Sequence, residues 1–123
     1  AEQNARGIAT SKIFLAGFSQ GGAMTYSAGF THPDALAGLI VLSGYVPSQP
    51  YIESRASEAN RHTPVFAAHG TQDDVLPVVL GETARDYARA RGNEVEWHAY
   101  PMPHSVCAEE IVALRAWLVA RLK

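Results

Sequence analysis

The chain has 123 residues, of which 47% are hydrophobic and 18% charged, and ten Lys+Arg against twelve Asp+Glu leave a formal net charge of −2. At that length one core forms without metal or disulfide staples, and the single cysteine, Cys107, has no internal partner and fits a reducing, cytoplasmic setting. A pI near 6.2 without a run of like charge excludes an electrostatic footprint for nucleic acid or an anionic bilayer, and no stretch reaches the roughly eighteen apolar residues of a membrane span.

Residues 1–6 are polar helix formers followed by Gly7, the pattern of a last helical turn and its glycine cap. The run at 12–18 is apolar without alternation, as in a parallel strand covered on both faces. Helical spacing resumes at 23–30 and stops before His32-Pro33. Residues 38–44 and 64–69 read as two further buried strands. Between them, 45–63 carries Pro47, Pro50 and several serines, and is expected to be a surface excursion with about one helical turn. Residues 78–91 form an amphipathic pattern closed by Gly92. At 94–100, Val95, Trp97 and Ala99 alternate with Glu96, His98 and Tyr100, predicting a strand near the sheet edge with one wetter face, which makes His98 a surface residue. A last helix is predicted from 108, with Ile111, Leu114, Trp117 and Leu118 as its buried stripe. Strands alternating with helices predict a parallel sheet in three layers, and 1–123 reads as a single domain.

In such a sheet, ligands bind beyond the carboxyl ends of the strands. The first strand ends in Gly17-Phe18-Ser19-Gln20-Gly21, a Gly-x-Ser-x-Gly turn running from strand to helix. The turn predicts a strained serine backbone, clashes relieved by glycine at 17 and 21, and a helix N-terminus that favours a developing oxyanion at Ser19. The third strand is followed by His69-Gly70-Thr71-Gln72-Asp73-Asp74, which offers two adjacent carboxylates, and the fourth by Pro101-Met102-Pro103-His104. A serine hydroxyl needs a base, and an imidazole base needs a carboxylate to fix its tautomer. The chain order Ser, acid, His is that of the α/β-hydrolases.

Gly-Phe-Ser-Gln-Gly-Gly-Ala at 17–23, His-Gly-x-x-Asp-x-x-x-Pro at 69–77 and Tyr-Pro-Met-x-His at 100–104 together resemble the bacterial carboxylesterase and acyl-protein thioesterase family, over most of the chain. His-Ser-x-Cys at 104–107 resembles its eukaryotic branch. The resemblance implies an α/β-hydrolase-type parallel sheet flanked by helices, Ser19 as nucleophile, Asp73 as the acid, His104 as base and the Gln20 amide as an oxyanion donor. It implies no cofactor, and small-molecule or lipid-like acyl esters or thioesters as substrates, with Leu76 and Val106 near the acyl groove. Pro103 stands where bacterial members usually have glycine, which predicts an altered approach of His104. The family is about twice this length. Its first half supplies early strands and a His-Gly-x-Gly oxyanion loop that this chain lacks, so the chain is expected to be a C-terminal portion whose apolar edge at Ile13, Phe14 and Leu15 pairs with that half or with another chain.

Several competing readings are weaker. The five histidines show no metal-ligand spacing, so no metal site is expected. Cys107 lacks an elbow and reads as a packed or half-exposed thiol, Ser43 as a residue packed below the site, and Asp74 as a cap for the following helix. A peptidase of the same fold and a catalytically silent association module are the remaining alternatives to ester hydrolysis.

Overall fold

The uninterrupted apolar runs become four parallel strands. The computed structural model describes residues 9–122; the helix end read at 1–7 lies outside them. A 3₁₀ turn at Thr10–Lys12 leads into β1 (Phe14–Phe18), and then follow α1 (Gln20–Thr31), β2 (Gly38–Leu42), α2 (Gln49–Arg55), β3 (Val65–Gly70), α3 (Val78–Arg91), β4 (Val95–Tyr100) and α4 (Ala108–Leu122). The strands lie side by side in the order β1-β2-β3-β4, with Leu15 opposite Leu39, Leu39 opposite Val65, and Val65 opposite Val95. β4 is thus at one edge, as its alternation predicts, and β1 is at the other.

Because side chains alternate along a strand, each central strand feeds both cores. Leu39, Val41, Val65, Ala67 and Val95 pack with Tyr26 and Phe30 of α1, Ile52 of α2, and Ala84 and Ala88 of α3. On the opposite face Ile40, Phe66 and Ala68 meet Trp117 of α4, with Phe14, Leu114 and Leu118 around them. The result is the expected three-layer α/β arrangement, with α1, α2 and α3 on one side and α4 on the other.

Four expectations need correction. The 45–63 excursion is more ordered than its prolines suggest: Ser48 caps α2 by accepting the Tyr51 amide at 3.2 Å, and Pro50 lies in its first turn, where the missing N–H costs nothing. Ile52 then anchors the helix in the core at 0% exposure. A 3₁₀ turn, Glu58–Asn60, follows, and Asn60 is fully buried with every polar atom of its amide used. Its Oδ1 accepts from the Leu36 amide and the Thr63 hydroxyl, while its Nδ2 donates to the carbonyls of His32 and Asp34.

On α4, Ile111 is 50% exposed and does not belong to the buried stripe. The inner face runs through Glu110, Ala113, Leu114, Trp117 and Leu118, which is the i, i+3, i+4, i+7, i+8 set. Glu110 occupies it because its carboxylate turns back to accept the Cys107 amide at 3.3 Å, half of a capping box. Burial pushes the Glu110 carboxyl above its usual range. On β4, His98 is half-buried rather than at the surface, held between Phe66 at 5.4 Å and Tyr100 at 5.9 Å and paired with Glu96. Finally, Asp74 caps nothing: α3 starts from Pro77 without a side-chain cap. Among the described residues no helix is long and apolar enough to cross a membrane.

Candidate active site

β1 ends where α1 begins, and Ser19 is the one residue between them, with φ 60° and ψ −120°. Such a backbone costs on the order of 1–3 kcal/mol in a residue with a Cβ and persists only where the surroundings enforce it. Here the Ser19 amide donates to the Leu42 carbonyl of β2 and its own carbonyl accepts the Ala23 amide, so the sheet holds one side of the elbow and the helix holds the other. The helix starts at Gln20, three residues earlier than its apolar spacing suggests, because Gly21 and Gly22 form its first turn instead of a loop. A Cβ on Gly17 would lie 2.1 Å from the Gly21 carbonyl oxygen, so glycine is obligatory there. The second tight position is Gly22, whose Cβ would meet Gly44 and Val41 at 3.1 Å. Gly21 is different: a Cβ there would meet nothing within 4 Å, because the helix turns that position outward over the groove beside β1.

The three groups expected to act together do meet. Ser19 Oγ lies 2.8 Å from His104 Nε2, and His104 Nδ1 lies 2.6 Å from Asp73 Oδ2. A carboxylate only accepts, so Nδ1 carries the proton, Nε2 has the free lone pair, and the serine hydroxyl donates to it. Asp73, not Asp74, fills the acid position, and its side chain is shielded from solvent. Burial alone would raise the Asp73 carboxyl, but the Leu76 amide at 2.7 Å, the His104 ring and the Val75 amide at 2.9 Å outweigh it and hold the group below the usual carboxylate range. It is ionised whenever the imidazole needs a partner.

His104 arrives on a loop whose backbone runs against β3. The Met102 carbonyl accepts the Gln72 amide at 3.1 Å, and Met102 itself is buried. This approach depends on Gly70, where a Cβ would lie 2.2 Å from the Met102 carbonyl oxygen and 2.5 Å from that of Pro103. Pro103 does not divert His104 from either of its partners. Phe18, 41% exposed, packs its ring on the imidazole with centroids 4.9 Å apart. Sequence reasoning passed over Phe18 and Gly70; a large apolar side chain beside two glycines in an elbow, and a glycine ending a strand, are the signals that mark them.

The helix begins at Gln20, directly after Ser19, so the unbonded backbone N–H groups of its first turn lie at the Ser19 end. Leu76 is half-buried with both backbone polar groups engaged, and Val106 is exposed two residues after His104. Neither lines the apolar groove of about 340 Å³ along β1, which is formed by Leu15, Ala16, Gly21, Met24, Thr25 and Ala28. Ser43 is fully buried at the end of β2 with φ 54°, and Cys107 is a half-buried free thiol. Among the described residues no cluster of three or more His, Cys, Asp or Glu side chains is placed to hold a metal ion.

The family model described as Phospholipase/Carboxylesterase matches residues 1–121. The acyl-protein thioesterase 1 of Yarrowia lipolytica is 37% identical over 99% of this chain and 55% of its own length, and that of Neurospora crassa is 42% identical over 94% and 49%. The crystal structure of Arabidopsis thaliana SOBER1, a protein described as a carboxylesterase, superposes with a TM-score of 0.92 at 34% identity, covering 99% of this chain and 59% of that one. The chain therefore spans about half the length of the curated relatives it matches.

Proposed function

The chain belongs to the phospholipase/carboxylesterase family, and from that premise we propose that it carries the catalytic residues of a serine hydrolase acting on carboxylic esters or acyl thioesters. The observation that carries this reading is the unbroken relay from Ser19 Oγ through His104 to Asp73, at 2.8 and 2.6 Å. Ser19 attacks the acyl carbonyl as His104 Nε2 takes its proton, and the Gln20 amide at the start of α1 donates to the oxyanion. His104 then protonates the departing alcohol or thiol, leaving Ser19 acylated. Water, deprotonated by the same imidazole, releases the acid and restores the hydroxyl. Asp73 keeps the Nδ1–H tautomer and stabilises the imidazolium in both halves. Val106 and Leu76 form the rim on the His104 and Asp73 sides, where an acyl chain or leaving group rests.

We extend the proposal to the open edge of β1. Among the described residues no strand lies beyond its outer backbone groups, and Met24 is 63% exposed on the groove that follows this edge. A further strand of a longer hydrolase chain, supplied in cis or in trans, covers this edge, so that 1–123 is the C-terminal part of one α/β-hydrolase domain. Such a partner brings the second oxyanion donor, whose absence costs about 10²–10³ in rate. A cytoplasmic setting agrees with the single unpaired thiol.

Labelling with a fluorophosphonate followed by mass spectrometry tests the reading. The expected adduct is on Ser19, abolished by Ser19→Ala and by His104→Ala. A folded chain that remains unlabelled would instead support the reading as an association module.

A further inference from the structure

His69, the residue before Gly70 in β3, is 0% exposed, and the mechanism above gives it no part. Its Nε2 lies 2.7 Å from the Leu76 carbonyl oxygen and 3.4 Å from Asp73 Oδ2. Both atoms only accept, so Nε2 carries a proton, directed to the carbonyl with the carboxylate oxygen alongside. Nδ1 has no hydrogen-bond partner among the described residues and so presents its lone pair.

Two further observations bear on this ring. A glycine inside the 14-residue helix α3 costs about 1 kcal/mol relative to alanine. Gly81 is nevertheless there, and a Cβ on it would lie 2.5 Å from His69 Nδ1 and 3.0 Å from the Trp97 ring, so the helix gives up a side chain to admit the imidazole. In addition, the Leu76 residue is gripped at both ends: Asp73 Oδ1 accepts its N–H at 2.7 Å and His69 holds its C=O. The carboxylate and the loop that carries it are thereby locked to β3, and Oδ2 is left facing His104.

We infer that His69 is a positioning residue for Asp73, a second buried imidazole that fixes the acid loop and orients the carboxylate oxygen received by His104. The inference rests on the proposed serine-hydrolase reading, since the brace affects hydrolysis only if Asp73 and His104 serve Ser19. Two readouts on the full chain separate the two ideas: the downfield proton resonance of the His104 Nδ1–Asp73 bond, assigned by its loss in His104→Ala, and the rate of fluorophosphonate labelling at Ser19.

Folded His69→Leu is expected to lose or shift that resonance and to label about tenfold or more slowly, the cost of a displaced catalytic group. His69→Gln, whose amide N–H reaches the Nε2 position, is expected to restore both, whereas His69→Asn, which places its amide nearer Nδ1, is not. If His69→Leu does not fold, the contrast between Gln and Asn decides. Equal behaviour of those two, or a folded His69→Leu with the wild-type resonance and rate, overturns the inference. A wild-type chain that shows the resonance yet does not label overturns the hydrolase reading and leaves the brace standing; one that labels without the resonance overturns the brace alone, and one with neither overturns both.

Discussion

Asp73 ties the chemistry of this chain to its stability. Its carboxyl titrates below the ordinary range in the folded chain, so as pH falls the unfolded state takes up the proton first. The stabilisation from this group is therefore complete above the unfolded value of about 3.9 and is lost as pH falls through the lower, folded one. Acid-unfolding curves of Asp73→Asn should lack this component and run flatter below about pH 4. The same variant, followed by fluorophosphonate labelling at neutral pH, should react about 10³–10⁴ times more slowly, because an amide in place of the carboxylate favours the wrong imidazole tautomer. At this scale Ser19, Asp73 and His104 were legible because each follows the end of a strand in a parallel sheet, where the topology requires functional groups to gather. His69 was not legible. A histidine inside an apolar strand reads as core, and only the fold of the 70–77 loop back onto its ring shows what it holds.

Among the elements, the elbow makes the sharpest distinction. Gly17→Ala drives a Cβ into the Gly21 carbonyl and is expected to destabilise by about 3 kcal/mol or more in a denaturant titration. Gly21→Ala meets open space and should leave the midpoint nearly unchanged or raise it slightly, since alanine is the better helix former. Sequence spacing treats the two glycines alike; the difference comes from where α1 starts, a matter of backbone geometry that the motif does not encode. A similar lesson comes from 45–63, whose composition signals a loop while Ile52 and Asn60 hold it in the interior. Asn60→Asp preserves the acceptor that serves Leu36 and Thr63 but sets a second oxygen against the carbonyls of His32 and Asp34. Thermal unfolding should show a loss of about 3 kcal/mol or more, with the deficit shrinking at acid pH as the new carboxyl protonates and again donates. The long helix α3 and its Gly92 cap, by contrast, were legible throughout, because amphipathic spacing and a left-handed glycine at φ 106° are local signals.

For the molecule as a whole, the dominant feature is the sheet, which among the described residues has four strands and ends at β1 on one side. Ala16 is exposed on that strand, and Ala16→Lys places a charge where an incoming strand would dock. Sedimentation should show the unmodified chain associating as concentration rises and the Ala16→Lys chain remaining monomeric; identical behaviour would remove edge pairing as the cause of association. Ile13, Phe14 and Leu15, expected as an apolar edge, pack partly buried against the two cores, and the groove beside β1 was not legible, since it depends on Met24, Thr25 and Ala28 of α1 lying beside Leu15 and Ala16. The spatial order β1-β2-β3-β4 also repeats the order of synthesis. On a ribosome, each of these strands leaves the exit tunnel when its neighbour is already outside, so the sheet grows by addition at one margin and none of the four waits for a later one to be inserted between earlier ones. Ser19 emerges before Asp73 and His104, the last of them on the loop just before α4. In a nascent chain the hydrogen-bonded relay from Ser19 through His104 to Asp73 therefore stays open until that loop is outside, and the Ser19 hydroxyl has no imidazole beside it before then.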